Sequence, residues 1–202
     1  MAKTLAPTKG NLMAAKNTLR LSRQGYEMLD KKRNILIREM MALIEEAKSV
    51  EADIETVFSV AYHALETANI MSGMDRVQDL AHTSVVDDSV NINLRSIMGV
   101  EIPMISVDNQ PLKPMYSFNS TNSAFDEALS RFVEVKKLTV KLAEIENSVY
   151  RLATSIKKTQ KRANALQNIT IPAYEKMVKD IQNALEEKDR EEHTRLKIIK
   201  GQ

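Results

Sequence analysis

Apolar residues recur at alternating steps of three and four from Leu12 to Met71. Of the 18 positions in this series, 16 are apolar or Tyr, and the two exceptions are Ser22 and Arg33. A repeat of 3.5 residues held over so many turns predicts a left-handed coiled coil. Thr8 stands just before the run and is a candidate N-cap, because its hydroxyl can accept a free backbone N–H of the first turn.

The same period returns in the last third of the chain. It begins at Phe125, becomes regular at Val135 and continues to Leu166, but beyond Asn168 the apolar phase slips. The slip coincides with Pro172, which lacks a backbone donor and clashes with the preceding turn. We therefore expect a kink or a local overwinding at this point, with no full break in the helix.

The helical period disappears between Ser72 and Ser123. Val100–Val107 and the stretch from Ser84 to Ile92 are β-branched runs that predict short strands, with a turn over residues 108–111. Residues 73–83 are compatible with one extra helical turn.

These patterns predict a mainly α fold. It consists of an antiparallel two-helix left-handed coiled-coil hairpin with a small cap that contains a β-hairpin. The expected domains are the first helix over residues 1–72, the cap over 73–123 and the second helix over 124–202. If the helices fold back on each other, facing residue numbers sum to about 195, and acidic residues 45–55 meet basic residues between 136 and 151.

The composition excludes several classes of protein. Only 9 residues are aromatic, and Gly and Pro together number 10, which disfavours a loop-rich β-sandwich. With 0 Cys, the chain has no disulfide framework, which fits the cytoplasm. Its apolar runs are far shorter than the roughly 20 residues needed to cross a bilayer, so we expect no direct insertion into a membrane.

Charge is distributed unevenly along the chain. Residues 1–40 hold 9 basic and 3 acidic side chains, residues 41–130 hold 4 and 14, and residues 131–202 hold 16 and 10. In the expected hairpin, two basic runs coincide at one level and repel each other unless an acidic partner offsets them. This basic band is a candidate surface for the acidic loops of an encircling partner, and it consists of Lys31, Lys32, Arg33, Arg38, Lys157, Lys158, Lys161 and Arg162.

Motifs for catalysis are missing from the sequence. The 5 glycines form no phosphate-binding G-x-x-x-x-G-K-[ST] loop, and His63, His82 and His193 lack the spacing of metal ligands. The acidic run from Glu186 to Glu192 sits on a charged helix end, where no dry pocket can shift pKa values. We therefore expect no enzymatic activity, no cofactor and no metal.

Two other classes of protein compete with this interpretation. A chaperone or scaffold of prefoldin-like architecture also combines two helices with β-hairpins, but the dense charge of residues 186–200 disfavours an apolar grip there. A nucleic-acid-binding arm is suggested by the basic band, yet the acidic middle and the scarcity of stacking aromatics argue against it, so we expect no nucleic acid partner.

Four segments of the sequence resemble a known family. They are residues 7–12 (PTKGNL), residues 25–33 (GYEMLDKKR), residues 158–166 (KTQKRANAL) with Ile171-Pro172, and residues 187–197. Together they resemble the D subunit of the V-type and A-type ATPases and ATP synthases, in the same order and at the same separation.

The resemblance implies a central rotor shaft in the central stalk. Its chain ends would lie inside a hexamer of catalytic A and non-catalytic B subunits, and its cap would point towards the membrane. The F subunit would bind its side, and a funnel-shaped subunit would link its foot to the membrane ring. ATP chemistry would take place on other chains, and this chain would be cytoplasmic and peripheral to the membrane through the assembled complex.

Overall fold

Two long helical stretches dominate the computed structural model, which describes residues 6–83, 90–107, 116 and 121–201. The first is helix α1, Lys9–Ser72, and the second joins helix α3, Ser123–Ala165, to helix α4, Ile171–Lys200, through a π-helical segment, Leu166–Thr170. Between them lie helix α2, Met74–Thr83, and strands β1, Val90–Ile97, and β2, Val100–Val107. The predicted fold class is confirmed.

The chain divides into two compact units. The terminal unit combines Met1–Ile35 with Ile156–Gln202, and the middle unit is Leu36–Ser155. In the terminal unit α1 runs antiparallel to the second helical stretch, since Arg33 bonds Gln160 whereas Arg23, earlier in the chain, bonds Glu175.

The middle unit shows the same antiparallel pairing. Glu46 on α1 contacts Lys141 on α3 at 2.9 Å, whereas Tyr62, later on α1, packs edge-on against Phe132 with ring centroids 5.8 Å apart. The contact between Glu46 and Lys141 confirms the predicted meeting of acidic and basic residues at one level. Arg151, predicted to face the same acidic stretch, instead donates to the backbone carbonyl of Glu101.

The heptad series of α1 forms a buried seam. Seventeen of its 18 positions are buried or half-buried, and the exception is Met71, which is 64% exposed. Burial of apolar side chains along such a seam supplies the main favourable free energy for folding of a coiled coil. The most deeply buried members on α1 are Ala15, Leu36, Val50, Ala61 and Ala68, and the buried residues on α3 are Ala128, Val135, Ile145, Ser148, Leu152, Thr159 and Ala163.

Helix α1 begins with the predicted cap. The hydroxyl oxygen of Thr8 accepts a hydrogen bond from the backbone N–H of Asn11 at 3.2 Å. The side-chain amide of Asn11 in turn donates to the carbonyl of Ala6 at 2.8 Å. The first turn therefore has one of its free donors satisfied, as the position of Thr8 predicts.

The phase slip before Pro172 is absorbed by the π-helical segment. The regular series would continue from Leu166 to position 170, but the next apolar seam residue is Ile171, so the seam gains one residue. A π turn closes i→i+5 bonds and accommodates that extra residue; the N–H of Ile171 bonds the carbonyl of Leu166. The helix continues without a break, as expected. It is locally underwound, so the alternative of a local overwinding was wrong, whereas the alternative of a kink stays a prediction.

The β-hairpin turns at Met98 and Gly99. Both have positive φ, 50° and 75°, which indicates a two-residue type I′ turn that matches the twist of the paired strands. Ile97 pairs with Val100 next to the turn, and the antiparallel register extends to Val90 with Val107. Strand β2 matches its predicted bounds.

The other predicted strand was placed only partly correctly. β1 overlaps the predicted stretch at residues 90–92 and extends to Ile97, whereas residues 84–89 and the predicted turn at 108–111 lie outside the described residues. The predicted extra helical turn is confirmed as α2, which follows Gly73 in a left-handed conformation with φ of 84°.

Three polar side chains of α3 hold the outer edge of β2. Because Ile97 and Val100 form the hydrogen-bonded pair beside the turn, every second residue from Glu101 onwards directs its backbone groups away from β1. Pro103 occupies such a position, where it removes no bond between the strands. The partners on α3 are spaced i, i+4, i+7 and so share one helix face. Glu144 accepts the backbone N–H of Ile105 at 3.1 Å. Ser148 donates to the backbone carbonyl of Pro103 at 3.5 Å, and Arg151 donates to that of Glu101 at 3.1 Å.

Within the described ranges, no helix combines the length and the hydropathy required of a membrane span.

Candidate partner-binding surface

The basic band predicted from the sequence falls on helices of both units. Lys31, Lys32 and Arg33 lie on α1 in the terminal unit, and the four cations between 157 and 162 lie on α3 in the same unit. Arg38 lies on α1 in the middle unit and is exposed. The structure therefore brings seven of the eight residues into one compact unit.

Arg33 differs from the other members because its charge is already partnered. Its guanidinium contacts the Asp30 carboxylate at 2.5 Å and donates to the side-chain oxygen of Gln160 across the helix pair at 2.8 Å. Gln160 in turn donates to Asn164 at 2.8 Å. A half-buried cation needs such partners, and here they explain why a charged residue can occupy a seam position.

The remaining six terminal-unit cations have no ion pair with any described residue. Lys32 is half-buried, whereas Lys31, Lys157, Lys158, Lys161 and Arg162 are exposed.

Like charges follow one another closely on α3. Lys157 and Lys161 are spaced i, i+4, as are Lys158 and Arg162, and each such pair destabilises a helix by roughly 0.2–0.5 kcal/mol. Residues 147–174 contain no Asp or Glu to offset them. These four side chains therefore form a positively charged surface on α3 that can bind an anionic partner.

Ion pairs occur elsewhere along the helix pairs. Arg23 contacts Glu175 at 2.6 Å in the terminal unit, and Lys141 contacts Glu46 in the middle unit. All four side chains are roughly half exposed, so each pair contributes about 0–1 kcal/mol and mainly favours the observed register.

Two shallow surface grooves lie among the described residues of the middle unit. One is lined by apolar and small side chains together with His63 and Glu127, and the other lies along Tyr62, Ile70 and Met74. His63 is exposed, and among the described residues no group of three or more His, Asp or Glu could hold a metal ion.

Tyr116 makes a strong polar contact near these grooves. Its hydroxyl donates to the Asp126 carboxylate at 2.5 Å, and its ring packs edge-on against Phe125. Burial, the hydrogen bond and the negative charge of Asp126 raise the pKa of Tyr116 to about 12. The hydroxyl therefore stays protonated at neutral pH and acts as a structural donor.

Sequence reasoning missed the contact between α3 and the β-hairpin. From the sequence, Glu144 and Ser148 are only polar positions of a coiled coil, and Arg151 is a partner for the acidic stretch of α1. Their spacing of four and three residues was the available signal, because it places them on one helix face.

Comparisons with known proteins find similar sequences over nearly the whole chain. Residues 11–201 match the family model described as the D subunit of ATP synthase. The chain is 43% identical over 197 residues to the D subunit of the V-type ATP synthase of Thermotoga neapolitana, an alignment that covers 98% of this chain and 97% of the relative. It is 36% identical over 198 residues to the D subunit of the A-type ATP synthase of Pyrococcus furiosus, covering 96% and 92% of the two chains.

A third relative comes from Methanobrevibacter smithii. The chain is 34% identical over 198 residues to the D subunit of its A-type ATP synthase, covering 96% of this chain and 86% of the relative. The similarity therefore extends over both helical stretches and the hairpin between them.

Proposed function

The chain belongs to the family of ATP synthase D subunits, and from this we propose that it is the central rotor-shaft subunit of a V/A-type rotary ATPase or ATP synthase. It transmits torque between a catalytic hexamer of A and B subunits and the ion-translocating ring in the membrane. The near full-length family match is the observation that carries this proposal.

The proposed role is mechanical, and ATP is made or hydrolysed on other chains. The sequence contains no phosphate-binding G-x-x-x-x-G-K-[ST] loop, which supports a non-catalytic subunit. The proposed partners are the A, B and F subunits and a funnel-shaped subunit that connects the chain to the ring.

The structure of each unit suits the transmission of torque. Two helices packed along a buried seam twist less easily than one, because twisting must separate buried side chains such as Leu152 from their neighbours. We assign the shaft to residues 1–72 and 124–202, and the end nearer the membrane to the cap over residues 73–123.

Affinity purification of the full chain from its native source tests the assignment to a complex. We expect A, B and F subunits to be recovered with it in fixed proportion. Recovery of the chain alone as a homo-oligomer would contradict the proposal and favour the prefoldin-like alternative.

A single-molecule rotation assay tests the transmission of torque. The chain has 0 Cys, so Ser96→Cys on the exposed strand β1 gives one labelling site for a bead. With A and B subunits fixed to a surface, ATP should drive rotation of the bead in one direction. A complex that hydrolyses ATP while its bead only diffuses would disprove the mechanical role.

A further inference from the structure

Exposed cations of the terminal unit lie on the outward side of α3. Thr159 and Ala163 are buried in the seam, and Lys161 is two residues from each of them. At 100° a residue, two residues correspond to about 200° around the helix, so Lys161 lies opposite the seam. Lys157 and Lys158 lie within about 60° of Lys161 around the helix and share its outward side, whereas Arg162 lies about 100° from it, at the flank of the seam. All three are exposed.

Lys31 has the same relation to the seam of α1. It precedes the seam position Arg33 by two residues and is exposed, so it too lies opposite the seam. Because α1 and α3 pack seam to seam, their outward sides are the two opposite sides of the helix pair. We call these five exposed residues the cationic collar: Lys31, Lys157, Lys158, Lys161 and Arg162.

We propose that the cationic collar binds carboxylate side chains of a protein partner that closes around the helix pair. This inference rests on the proposed function, which supplies the encircling A and B subunits. Cations on opposite sides of the pair can be neutralised together only by a partner that reaches both sides.

The charge pattern explains why an acidic protein surface suits the collar. The cations have no ion pair among the described residues, and acids are missing from residues 147–174, so partner carboxylates would both gain attraction and relieve repulsion on α3. A straight nucleic acid duplex would touch one side of the pair and leave the other side unmatched.

Binding of the full chain to purified A and B subunits tests the collar. The main variant reverses four charges on α3: Lys157→Glu, Lys158→Glu, Lys161→Glu and Arg162→Glu. At about 50 mM salt we expect its affinity to fall by roughly tenfold or more, with a smaller loss at about 300 mM, because salt screens exposed charges. Lys31→Glu alone should weaken binding by roughly twofold to fivefold, since it changes one charge.

The matched control keeps every charge while altering the same side chains: Lys157→Arg, Lys158→Arg, Lys161→Arg and Arg162→Lys. We expect it to bind like the wild type, and circular dichroism should show equal helix content in all variants. Equal affinity of the reversed variant and the wild type would overturn the proposal. An effect of the α3 reversal with no effect of Lys31→Glu would overturn the encircling geometry.

Binding of duplex DNA tests the alternative that the collar is a nucleic acid site. If the wild type binds a duplex of about 20 base pairs with a steep salt dependence, and the reversal abolishes this while leaving binding to A and B intact, the collar is a phosphate site and the proposal is wrong. Failure of the wild type itself to bind A and B subunits would instead refute the proposed function.

Discussion

Individual residues of the seam show how burial fixes this coiled coil. Leu36 and Leu152 have no exposed surface, and both stand at positions that the heptad pattern predicts. Arg33 shows that a break in the pattern can still be structural, because Asp30 and Gln160 satisfy its guanidinium. A polar residue in the seam is therefore tolerated where its partners come from both helices.

Leu152→Ala should lower the free energy of unfolding by about 2–5 kcal/mol, since it removes buried methyl groups and leaves a cavity. Urea unfolding followed by circular dichroism measures the loss. Leu21→Ala is the control, because Leu21 is 61% exposed and its truncation should change stability by no more than about 0.5 kcal/mol. Equal effects of the two variants would contradict the burial of Leu152.

Tyr116 should titrate at unusually high pH. Folding favours its neutral form, so this contribution to stability is fully present below pH 10.0 and is lost as the pH rises through about 12. Asp126→Asn removes the acceptor charge and should lower the pKa of Tyr116 towards its ordinary value, whereas Glu127→Gln should leave it unchanged. Ultraviolet absorbance of the phenolate, with Tyr116→Phe subtracted, measures the change.

Among the elements, the helices were predictable from sequence and the hairpin only in part. Heptad spacing reflects burial along one face, so it marks α1 and α3 directly. Six of the eight residues of β1 are exposed, and its polar positions Asn93 and Arg95 give no sign of a buried face. It pairs with β2, whose outer edge contacts α3. These elements are distant in sequence, and the spacing of the three polar residues on α3 was the one local signal.

The candidate surface was predictable to a similar degree. The basic band was predicted from the runs of Lys and Arg on two helices, because consecutive residues of like charge can be read directly from the sequence. The contacts of Arg33 with Asp30 and Gln160 could not be predicted from the sequence, since they depend on the geometry of side chains in the helix pair.

The contact between Glu144 and β2 predicts a local change in dynamics. Glu144→Ala leaves the outward N–H of Ile105 without its carboxylate acceptor, and a hydrogen bond to a charged group contributes about 1.5–3 kcal/mol. Amide hydrogen exchange at Ile105 should then become at least roughly tenfold faster. Glu146→Ala, on the same helix at an exposed position, should leave the rate unchanged; similar acceleration in both variants would refute the contact.

At the scale of the whole molecule, both units share one antiparallel order of pairing. The contacting pairs Arg23 with Glu175 and Glu46 with Lys141 have residue numbers that sum to within about ten of the predicted 195. Opposite charges therefore meet at both levels, and the sequence predicts the level of Glu46 and Lys141. The collar is a level where opposite charges do not meet.

Cross-linking tests this pairing in each unit. Since the chain has 0 Cys, the double variants Arg23→Cys with Glu175→Cys and Glu46→Cys with Lys141→Cys each present one pair of thiols. A bifunctional reagent of about 10 Å should link both pairs within one chain. Arg23→Cys with Asp189→Cys is offset by about 21 Å along the helix and should not be linked. A linked offset pair would exclude the observed register.

The π-helical segment determines where the second helical stretch tolerates the deletion of a residue. Its extra residue behaves as an insertion that the helix has absorbed, so deletion of Asn168 should let this segment wind as ordinary α-helix while Ile181 keeps its buried face. Deletion of Lys158 shifts Thr159 and Ala163 by about 100° and should lower the melting temperature far more. A helix that already holds one surplus residue can lose it at little cost, whereas a regular helix cannot.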